Sequence, residues 1–313
     1  MLQNTIMGHP VATKKLLLVV GATAVGKTDI SLELAAHYRC PILSADSRQC
    51  YRELGIATAK PNQQILSKVP HYFINSHSIH NPVAAGEFEA YALATLNEVF
   101  KENNICIMTG GSGLYIKAVC EGLDEVPPVP ESIRYQLEIR LEHDGLKALL
   151  RELQRLDPEY AGTIDTENPR RVIRALEVCL GTGKPFSTFR KGKKQRRPFE
   201  TIKIGLYRDR KKLYSRIDQR MDEMIDQGLF DEAEQLYAFR NQKPLQTVGY
   251  QEVYGYLDKI YDRDEAIRLL KRNSRRYAKR QLSWFGKDLS IHWFHADDLE
   301  SILGYLQLET SGH

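Results

Sequence analysis

The chain has 313 residues, 42% of them hydrophobic and 27% charged, and its 44 basic and 40 acidic side chains leave a net charge of +4 at pH 7. This is the composition of a soluble globular protein, and the lack of any run of about 18 apolar residues argues against a membrane span. The N-terminal residues lack the apolar core of a secretory signal, and the five cysteines include no C-x-x-C pair. We therefore expect a cytoplasmic protein, either one large domain or a core with an insertion.

Apolar runs that alternate with helical patterns predict a parallel β-sheet covered by helices. After an N-terminal tail at residues 1–14, which we expect to be flexible, the predicted strands are Leu16–Val20, Pro41–Ala45, Tyr72–Ile74, Ile105–Thr109 and Ile202–Leu206. Helices are predicted between several of these strands, at Asp29–Tyr38 and Glu87–Lys101. Ligands of such sheets bind beyond the carboxyl ends of the strands.

A different pattern begins at three closely spaced prolines, Pro127, Pro128 and Pro130, which form a stiff, non-helical joint. Helical patterns follow at Ser132–Glu142, Leu146–Leu156 and Asn168–Leu180, and Gly181 and Gly183 are expected to end the last of them. We therefore predict a small α-helical insertion domain at residues 126–198, within an α/β core formed by residues 15–125 and 199–313. The second part of the core is mostly helical, with helices at Leu213–Gln227 and Arg263–Phe285 and an edge strand at Ile291–Phe294.

The first predicted strand leads directly into a complete G-x-x-x-x-G-K-T phosphate loop. Backbone N–H groups of such a loop surround a pyrophosphate, and the positive end of the following helix adds to the attraction. Lys27 would reach the outer phosphate oxygens, and Thr28 would help to hold Mg²⁺. The sequence thus predicts a P-loop NTPase-like core whose diphosphate-binding loop comprises Gly21, Ala22, Thr23, Ala24, Val25, Gly26, Lys27 and Thr28.

The carboxylate that usually accompanies a phosphate loop is missing from its usual place. Kinases and ATPases with such a loop carry a Mg²⁺-organising acid at the end of a second apolar strand, but the strand Ile105–Thr109 ends in Gly110 and Gly111. A carboxylate follows a different strand, at Asp46. From its position alone, Asp46 is open to interpretation as a turn or helix-capping residue, a metal ligand or a general base.

Two tracts of basic residues contain no acidic residue. Six of the eight residues from Arg190 to Arg197 are basic, and seven basic residues lie between Arg268 and Arg280. Solvated helix faces usually mix both signs of charge, so these tracts favour a polyanionic partner, with a merely solvated surface as the alternative.

The chain resembles the tRNA dimethylallyltransferases, also called tRNA isopentenyltransferases or IPP transferases, in the identity and order of its motifs. The matching segments are the phosphate loop, Asp46–Tyr51, Ile56–Pro61, Val69–His71, Gly110–Tyr115, Asn168–Glu177, Val248–Gln251 and Tyr277–Gln281. Members of this family transfer a dimethylallyl group from dimethylallyl diphosphate to the exocyclic amine of the adenosine immediately 3′ of the anticodon. The resemblance implies the same reaction here, with the loop holding the pyrophosphate of the donor. It also accounts for the missing acid, because nothing is hydrolysed or phosphorylated.

The resemblance implies roles for individual residues. Asp46 would be the general base that takes the proton of the weakly basic amine, while Lys27, Thr28 and Mg²⁺ would stabilise the leaving pyrophosphate. Arg216 and Arg220 match a pattern close to the pyrophosphate. The residues implied to contact the anticodon stem-loop of the tRNA or to border the reaction channel are Asp46, Ser47, Arg48, Gln49, Ser112, Arg134, Arg170, Arg171, Val172, Ile173, Arg174, Arg275, Lys279, Arg280 and Gln281.

Two departures from the family pattern concern the site. Arg48 stands where the family usually has Met, and an arginine close to Asp46 would weaken the carboxylate as a base. Ser112 stands where the family usually has Thr, and it keeps the hydroxyl group.

Three other functions remain open at this point. They are a P-loop kinase or ATPase that uses Asp46 for Mg²⁺, a dimethylallyltransferase acting on free adenylate, and a tRNA-binding module without activity. The helical insertion and the basic tracts argue against the second, and the intact Lys27, Thr28 and Asp46 argue against the third. We expect a monomer without a membrane partner.

Overall fold

The computed structural model describes residues 13–192 and 194–310. Most of the predicted N-terminal tail (residues 1–12) and Lys193 of the first basic tract lie outside the described residues. The chain divides into two compact units. The first comprises the described residues up to Glu121 and those from Arg196 onward, and the second lies within Gly122–Gln195. The sequence places the insertion slightly later, at residues 126–198.

The first unit is built on a parallel sheet, to which the described residues contribute six strands. The strands are β1 (Lys15–Gly21), β2 (Ile42–Ser44), β3 (His71–Tyr72), β4 (Ile105–Gly110), β5 (Glu200–Tyr207) and β6 (His292–His295), in the order β3-β2-β4-β1-β5-β6. Every pair of neighbours is parallel. All residues of β1 are buried, which explains the unbroken apolar run Leu16–Val20, since a central strand with both faces covered has no polar side.

Helices cover both faces of this sheet. They are α1 (Lys27–Tyr38), α2 (Gln63–Leu66), α3 (Ala85–Glu102), α4 (Gly113–Glu121), α9 (Arg210–Asp226), α10 (Leu229–Gln235), α11 (Tyr250–Leu257), α12 (Arg263–Phe285) and α13 (Leu299–Thr310), with 3₁₀ turns at Ile56–Thr58, Tyr237–Phe239 and Lys243–Leu245. Two separate apolar cores result. One contains Leu16, Leu18 and Val20 of β1, and the other contains Leu17 and Val19, because successive side chains of a strand point to opposite faces.

The second unit is helical, as the sequence predicts. Its elements are α5 (Glu131–Asp144), α6 (Leu146–Leu156), α7 (Pro158–Ala161), α8 (Pro169–Thr182) and a 3₁₀ turn at Phe186–Phe189. Leu137, Leu149, Leu153 and Leu176 meet in its core. The Asn168 side chain caps α8 by accepting a hydrogen bond from the backbone N–H of Arg171, at 3.3 Å.

Some predicted boundaries are wrong for local reasons. The strand predicted to reach Ile74 ends at Tyr72, because Phe73 adopts a positive φ of 63° and turns the chain out of the sheet. Gly181 does not end α8; it lies within the helix, and a Cβ there would come within 2.5 Å of the Val129 side chain. Gly183 ends the helix with a φ of 68°, as predicted.

Within the described ranges, no helix has the length and apolar character needed to cross a membrane.

Candidate active site

A cavity of about 350 Å³ lies in the first unit, where the loops after β1, β2 and β4 come together. These strands are neighbours in the sheet and run parallel, so their carboxyl ends share one edge. The lining residues that matter below are residues 23–29 of the phosphate loop and α1, Asp46 and Gln49 after β2, Gly111 after β4, Arg216 and Arg220 of α9, and Tyr277 and Gln281 of α12.

The phosphate loop owes its shape to three unusual backbone positions. Ala24 and Gly26 have positive φ angles of 61° and 117°, a conformation that directs successive N–H groups toward one point. At Gly21 a Cβ would lie 2.8 Å from the carbonyl oxygen of Leu206, so the close approach to β5 requires glycine. Gly21 and the fully buried Ala22 are not among the residues that line the cavity. Their contact with the diphosphate stays a prediction.

The ammonium group of Lys27 is enclosed by the loop itself. Its Nζ donates hydrogen bonds to the carbonyl oxygens of Gly21 at 3.0 Å and Ala22 at 2.7 Å. Burial, together with the positive charge of Arg220, lowers the pKa of Lys27 to about 8, whereas the nearby Asp46 opposes this shift. The site thus concentrates positive charge where an anion is expected.

Two arginines of α9 reach the loop from the side. Arg216 donates through Nε to the carbonyl oxygen of Ala24 at 3.0 Å, and Arg220 lies 3.5 Å from the hydroxyl of Thr23. Burial lowers the pKa of Arg220, and Asp46 counteracts the effect. Both predicted diphosphate-binding arginines therefore line the cavity.

Asp46 faces the cavity from a turn that fixes one of its oxygens. Oδ1 accepts hydrogen bonds from the backbone N–H groups of Arg48 at 2.8 Å and Gln49 at 3.3 Å. Within the described residues Oδ2 has no such donor. The Arg48 guanidinium donates to the carbonyl oxygen of Ser47 at 2.9 Å and, among the described ion pairs, forms none with Asp46. The arginine at this unusual position thus leaves the carboxylate unpaired in the part of the chain that the structure describes.

Gln49 is held in one orientation by the surrounding backbone. Its Nε2 donates to the carbonyl oxygens of Thr58 at 3.1 Å and Ala59 at 3.2 Å, and its Oε1 accepts from Ser44 at 3.3 Å. Carbonyls only accept, so the NH₂ group must face them. The oxygen of the amide is then the side of Gln49 that has acceptor capacity left.

The 3₁₀ turn whose carbonyl oxygens bind Gln49 is itself held by hydrogen bonds to Glu232 of α10. The carboxylate accepts the backbone N–H groups of Gly55, Ile56 and Ala57 at 2.7–3.1 Å, and the Tyr250 hydroxyl at 2.7 Å. The sequence does not point to Glu232, because it lies 175 or more positions away from the backbone groups that it binds.

Helix α12 brings two further side chains into the cavity, Tyr277 and, one turn later, Gln281. Burial and the charge of Asp46 raise the pKa of Tyr277 to about 12, so its phenol stays protonated at neutral pH. Gln281 is 6% exposed and forms hydrogen bonds with Thr23 and Gly111 inside the site; its contact with tRNA stays a prediction. The sequence does not mark Tyr277 as a site residue, although its spacing of four from Gln281 on one helix was an available signal.

Some basic side chains of α12 form ion pairs within the protein, and others are exposed and available to a polyanion. Lys271 pairs with Asp222 at 2.6 Å, and Arg275 pairs with Asp218, both on α9. Arg275 thus forms an ion pair between helices, and its predicted contact with tRNA stays a prediction. Arg276, Lys279 and Arg280 are exposed.

In the second unit, too, some of the residues predicted to contact tRNA are buried and others are exposed. Val172 and Ile173 are 0% and 4% exposed and belong to the helical core, which corrects their prediction as contacts. Glu177 lies 3.6 Å from Arg134 and 3.3 Å from Arg174. Arg170 and Arg171 are exposed at the start of α8, and there they stay candidates for binding phosphate.

Comparison with known proteins gives a consistent result. Residues 49–288 match the profile of the IPP transferase family. The tRNA dimethylallyltransferase of Cytophaga hutchinsonii is 48% identical over 294 residues, covering 94% of this chain and 97% of the relative. The tRNA dimethylallyltransferase 1 of Bacteroides fragilis is 44% identical over 294 residues, covering 94% and 98%.

Solved structures agree with the sequence relatives. The crystal structure of the full-length tRNA isopentenylpyrophosphate transferase from Bacillus halodurans matches with a TM-score of 0.71 and 36% identity, covering 95% of this chain and 97% of that one. A eukaryotic dimethylallyltransferase acting on tRNA matches with a TM-score of 0.73 and 26% identity, covering 92% and 75%.

Proposed function

The chain belongs to the IPP transferase family, and from this membership we propose that it transfers a dimethylallyl group from dimethylallyl diphosphate to a tRNA. The acceptor is the exocyclic amine of the adenosine 3′-adjacent to the anticodon. One observation supports this proposal most directly. Lys27, the phosphate loop and Asp46 all line the same cavity, so a site for a leaving pyrophosphate and a site for a proton lie side by side.

The reaction follows from these two groups. The adenine N6 attacks C1 of the prenyl donor, the bond between C1 and the diphosphate oxygen breaks, and pyrophosphate leaves with the electron pair. N6 loses its proton to Asp46, whose Oδ1 is fixed by backbone N–H groups. The loop N–H groups, Lys27, Arg216 and Arg220 stabilise the negative charge on the leaving pyrophosphate.

Mg²⁺ is proposed as the cofactor, and the residues present fit it. The described residues contain no cluster of three or more His, Cys, Asp or Glu side chains suited to a metal, whereas Thr28 lines the cavity beside Lys27. Mg²⁺ commonly takes few protein ligands and keeps water and substrate phosphates, so Thr28 together with the diphosphate would hold it. When bound, it neutralises charge on the leaving pyrophosphate.

Binding of the anticodon stem-loop is proposed for the exposed cations, namely Arg170 and Arg171 of α8 and Arg276, Lys279 and Arg280 of α12. An anticodon-loop adenosine must leave its stack to reach a donor bound in the cavity, and proteins that recognise RNA loops in this way bind the phosphates with Lys and Arg. A monomeric state and a cytoplasmic location stay predictions.

The experiment is incubation of the protein with dimethylallyl diphosphate, Mg²⁺ and unmodified tRNA, followed by mass analysis of the nucleosides. We expect the mass of one prenyl group on adenosine, and none when AMP replaces tRNA. Prenylation of AMP alone would indicate an adenylate dimethylallyltransferase, and Mg²⁺-dependent ATP turnover without prenyl transfer would indicate a kinase or ATPase.

A further inference from the structure

Gln281 is a polar residue in the buried stripe of a long helix. The buried side chains of α12 are Ala266, Leu270, Ser274, Ala278, Gln281 and Phe285, spaced three or four residues apart. Such a stripe normally faces the core with apolar or small residues. A buried amide is tolerated only when its donors and acceptors are paired, so its partners indicate what Gln281 does.

The Gln281 amide joins two loops of the active site. Oε1 accepts a hydrogen bond from the backbone N–H of Thr23 in the phosphate loop at 2.8 Å, and Nε2 donates to the carbonyl oxygen of Gly111 at 3.1 Å. A backbone N–H only donates and a carbonyl only accepts, so these partners permit one orientation of the amide. The contact leaves no free space, because a Cβ at Gly111 would lie 2.0 Å from Nε2.

The second of these loops continues directly to the proposed base. Ser112, next to Gly111, donates its backbone N–H to the carbonyl oxygen of Ala45 at 3.2 Å. Its Oγ accepts the backbone N–H of Ser47 at 3.0 Å. Ala45 and Ser47, the residues on both sides of Asp46, are therefore each hydrogen-bonded to Ser112. A chain of hydrogen bonds runs from the phosphate loop through Gln281 to the turn that carries Asp46.

We propose that Gln281 is a positioning residue that sets the phosphate loop relative to the turn carrying Asp46, and that it does not contact tRNA. The inference rests on the proposed function, since it concerns the distance between the pyrophosphate and the base. A site of this kind depends on groups that are already in place when the substrate binds. Gln281, which belongs to the long helix α12, holds the two loops in place before the substrate binds.

The first test replaces Gln281 by Leu, which removes both hydrogen bonds, and by Glu, which has the same shape and cannot donate to Gly111. We expect the affinity for inorganic pyrophosphate, measured by calorimetry, to fall on the order of tenfold, with kcat reduced and the KM for dimethylallyl diphosphate raised. The dissociation constant for tRNA should stay within about twofold of that of the wild type. Gln246→Leu serves as the control, because Gln246 bonds to the Arg240 carbonyl at 2.6 Å outside the cavity.

The second test uses Gly111 to displace the amide without changing Gln281. Gly111 does not have a positive φ, so Gly111→Ala is tolerated by the backbone and acts through its Cβ. This variant should weaken pyrophosphate binding on the order of tenfold, and so should a third substitution at position 281, Gln281→Ala, which removes the amide and leaves its space empty. The double variant should be no weaker than Gln281→Ala alone, because the methyl group enters the space vacated by the amide. Such non-additivity is the signature of two groups acting through one contact.

The outcomes separate the two proposals. A wild-type protein that neither binds pyrophosphate nor prenylates tRNA would contradict the proposed function. A fully active wild type whose Gln281 variants bind tRNA more weakly while pyrophosphate affinity is unchanged would overturn the positioning role. Additive effects in the double variant would overturn it as well. Thermal unfolding of each variant shows whether it is folded, and the isosteric Gln281→Glu keeps the test available if the Leu variant is not.

Discussion

Asp46 lines the cavity and combines one constrained oxygen with one that accepts no hydrogen bond from the described residues, and this arrangement suits a base. The two backbone N–H groups bound to Oδ1 fix the direction of the carboxylate, while Oδ2 is left for a proton. Substitution by Ala would remove the base and also loosen the turn. Substitution by Asn keeps an oxygen for the two N–H groups and removes only the basicity, so it isolates the chemical role.

We expect Asp46→Asn to lower kcat about 10²- to 10⁴-fold, the usual contribution of a general base. The affinity for tRNA and for pyrophosphate should change little, because the turn and the phosphate loop are intact. Single-turnover kinetics and binding titrations measure these quantities separately. A variant with normal turnover would remove Asp46 from the mechanism.

Lys27 provides the second prediction at the scale of one residue. Lys27→Met should weaken pyrophosphate binding on the order of 10- to 100-fold, the range expected when a charge-assisted hydrogen bond is removed. Calorimetric titration measures the effect, with thermal unfolding as a check on the fold. Unchanged pyrophosphate affinity in a folded variant would show that the anion binds elsewhere.

At the scale of elements, the contrast between the two faces of α12 determines which cations can serve a nucleic acid. Lys271 and Arg275 are paired with acids of α9, whereas Arg276, Lys279 and Arg280 are exposed. Lys and Arg bound to phosphates release counterions, and the salt dependence of binding counts them.

Neutralising Arg276, Lys279 and Arg280 to Gln should reduce the slope of log Kd against log salt concentration by about one for each phosphate that the variant no longer binds. The matched control neutralises Lys271 and Arg275, which should leave the slope as it is in the wild type. Filter binding of tRNA at several salt concentrations gives both slopes. A larger change in the control would mean that the paired face binds the phosphates.

Glu232 shows how a distant helix supports the site. Glu232→Gln places an NH₂ group against backbone N–H groups that need an acceptor, so we expect the free energy of unfolding to fall by about 1–3 kcal/mol. Glu234→Gln changes an exposed residue of the same helix and is the control. Urea denaturation measures both, and equal stability of the two variants would contradict the role of Glu232 in holding the turn.

The sequence predicts strands, helices and the phosphate loop better than it predicts which side chains contact a neighbouring element. The apolar run of β1 and the phosphate loop could be identified because their signals are local and continuous. The burial of Val172, Ile173 and Gln281 could not, since it depends on which face of a helix meets another element. The sequence does not reveal Glu232 for a related reason: a carboxylate that accepts hydrogen bonds from backbone N–H groups has no sequence pattern of its own.

At the scale of the whole molecule, the parallel sheet explains why residues far apart in sequence share one chemistry. Loops after β1, β2 and β4 meet at one edge, and α9 and α12 add arginines, a tyrosine and a glutamine from the C-terminal part of the chain. The central claim is that this edge couples departure of pyrophosphate to deprotonation of an adenine.

The most direct test counts both products in one reaction, with dimethylallyl diphosphate, Mg²⁺ and tRNA as substrates. We expect one pyrophosphate released for each adenosine prenylated 3′ of the anticodon, and both products formed about 10²- to 10⁴-fold more slowly with Asp46→Asn. Pyrophosphate released without prenylated adenosine, or prenyl transfer that persists at the normal rate in Asp46→Asn, would contradict the account.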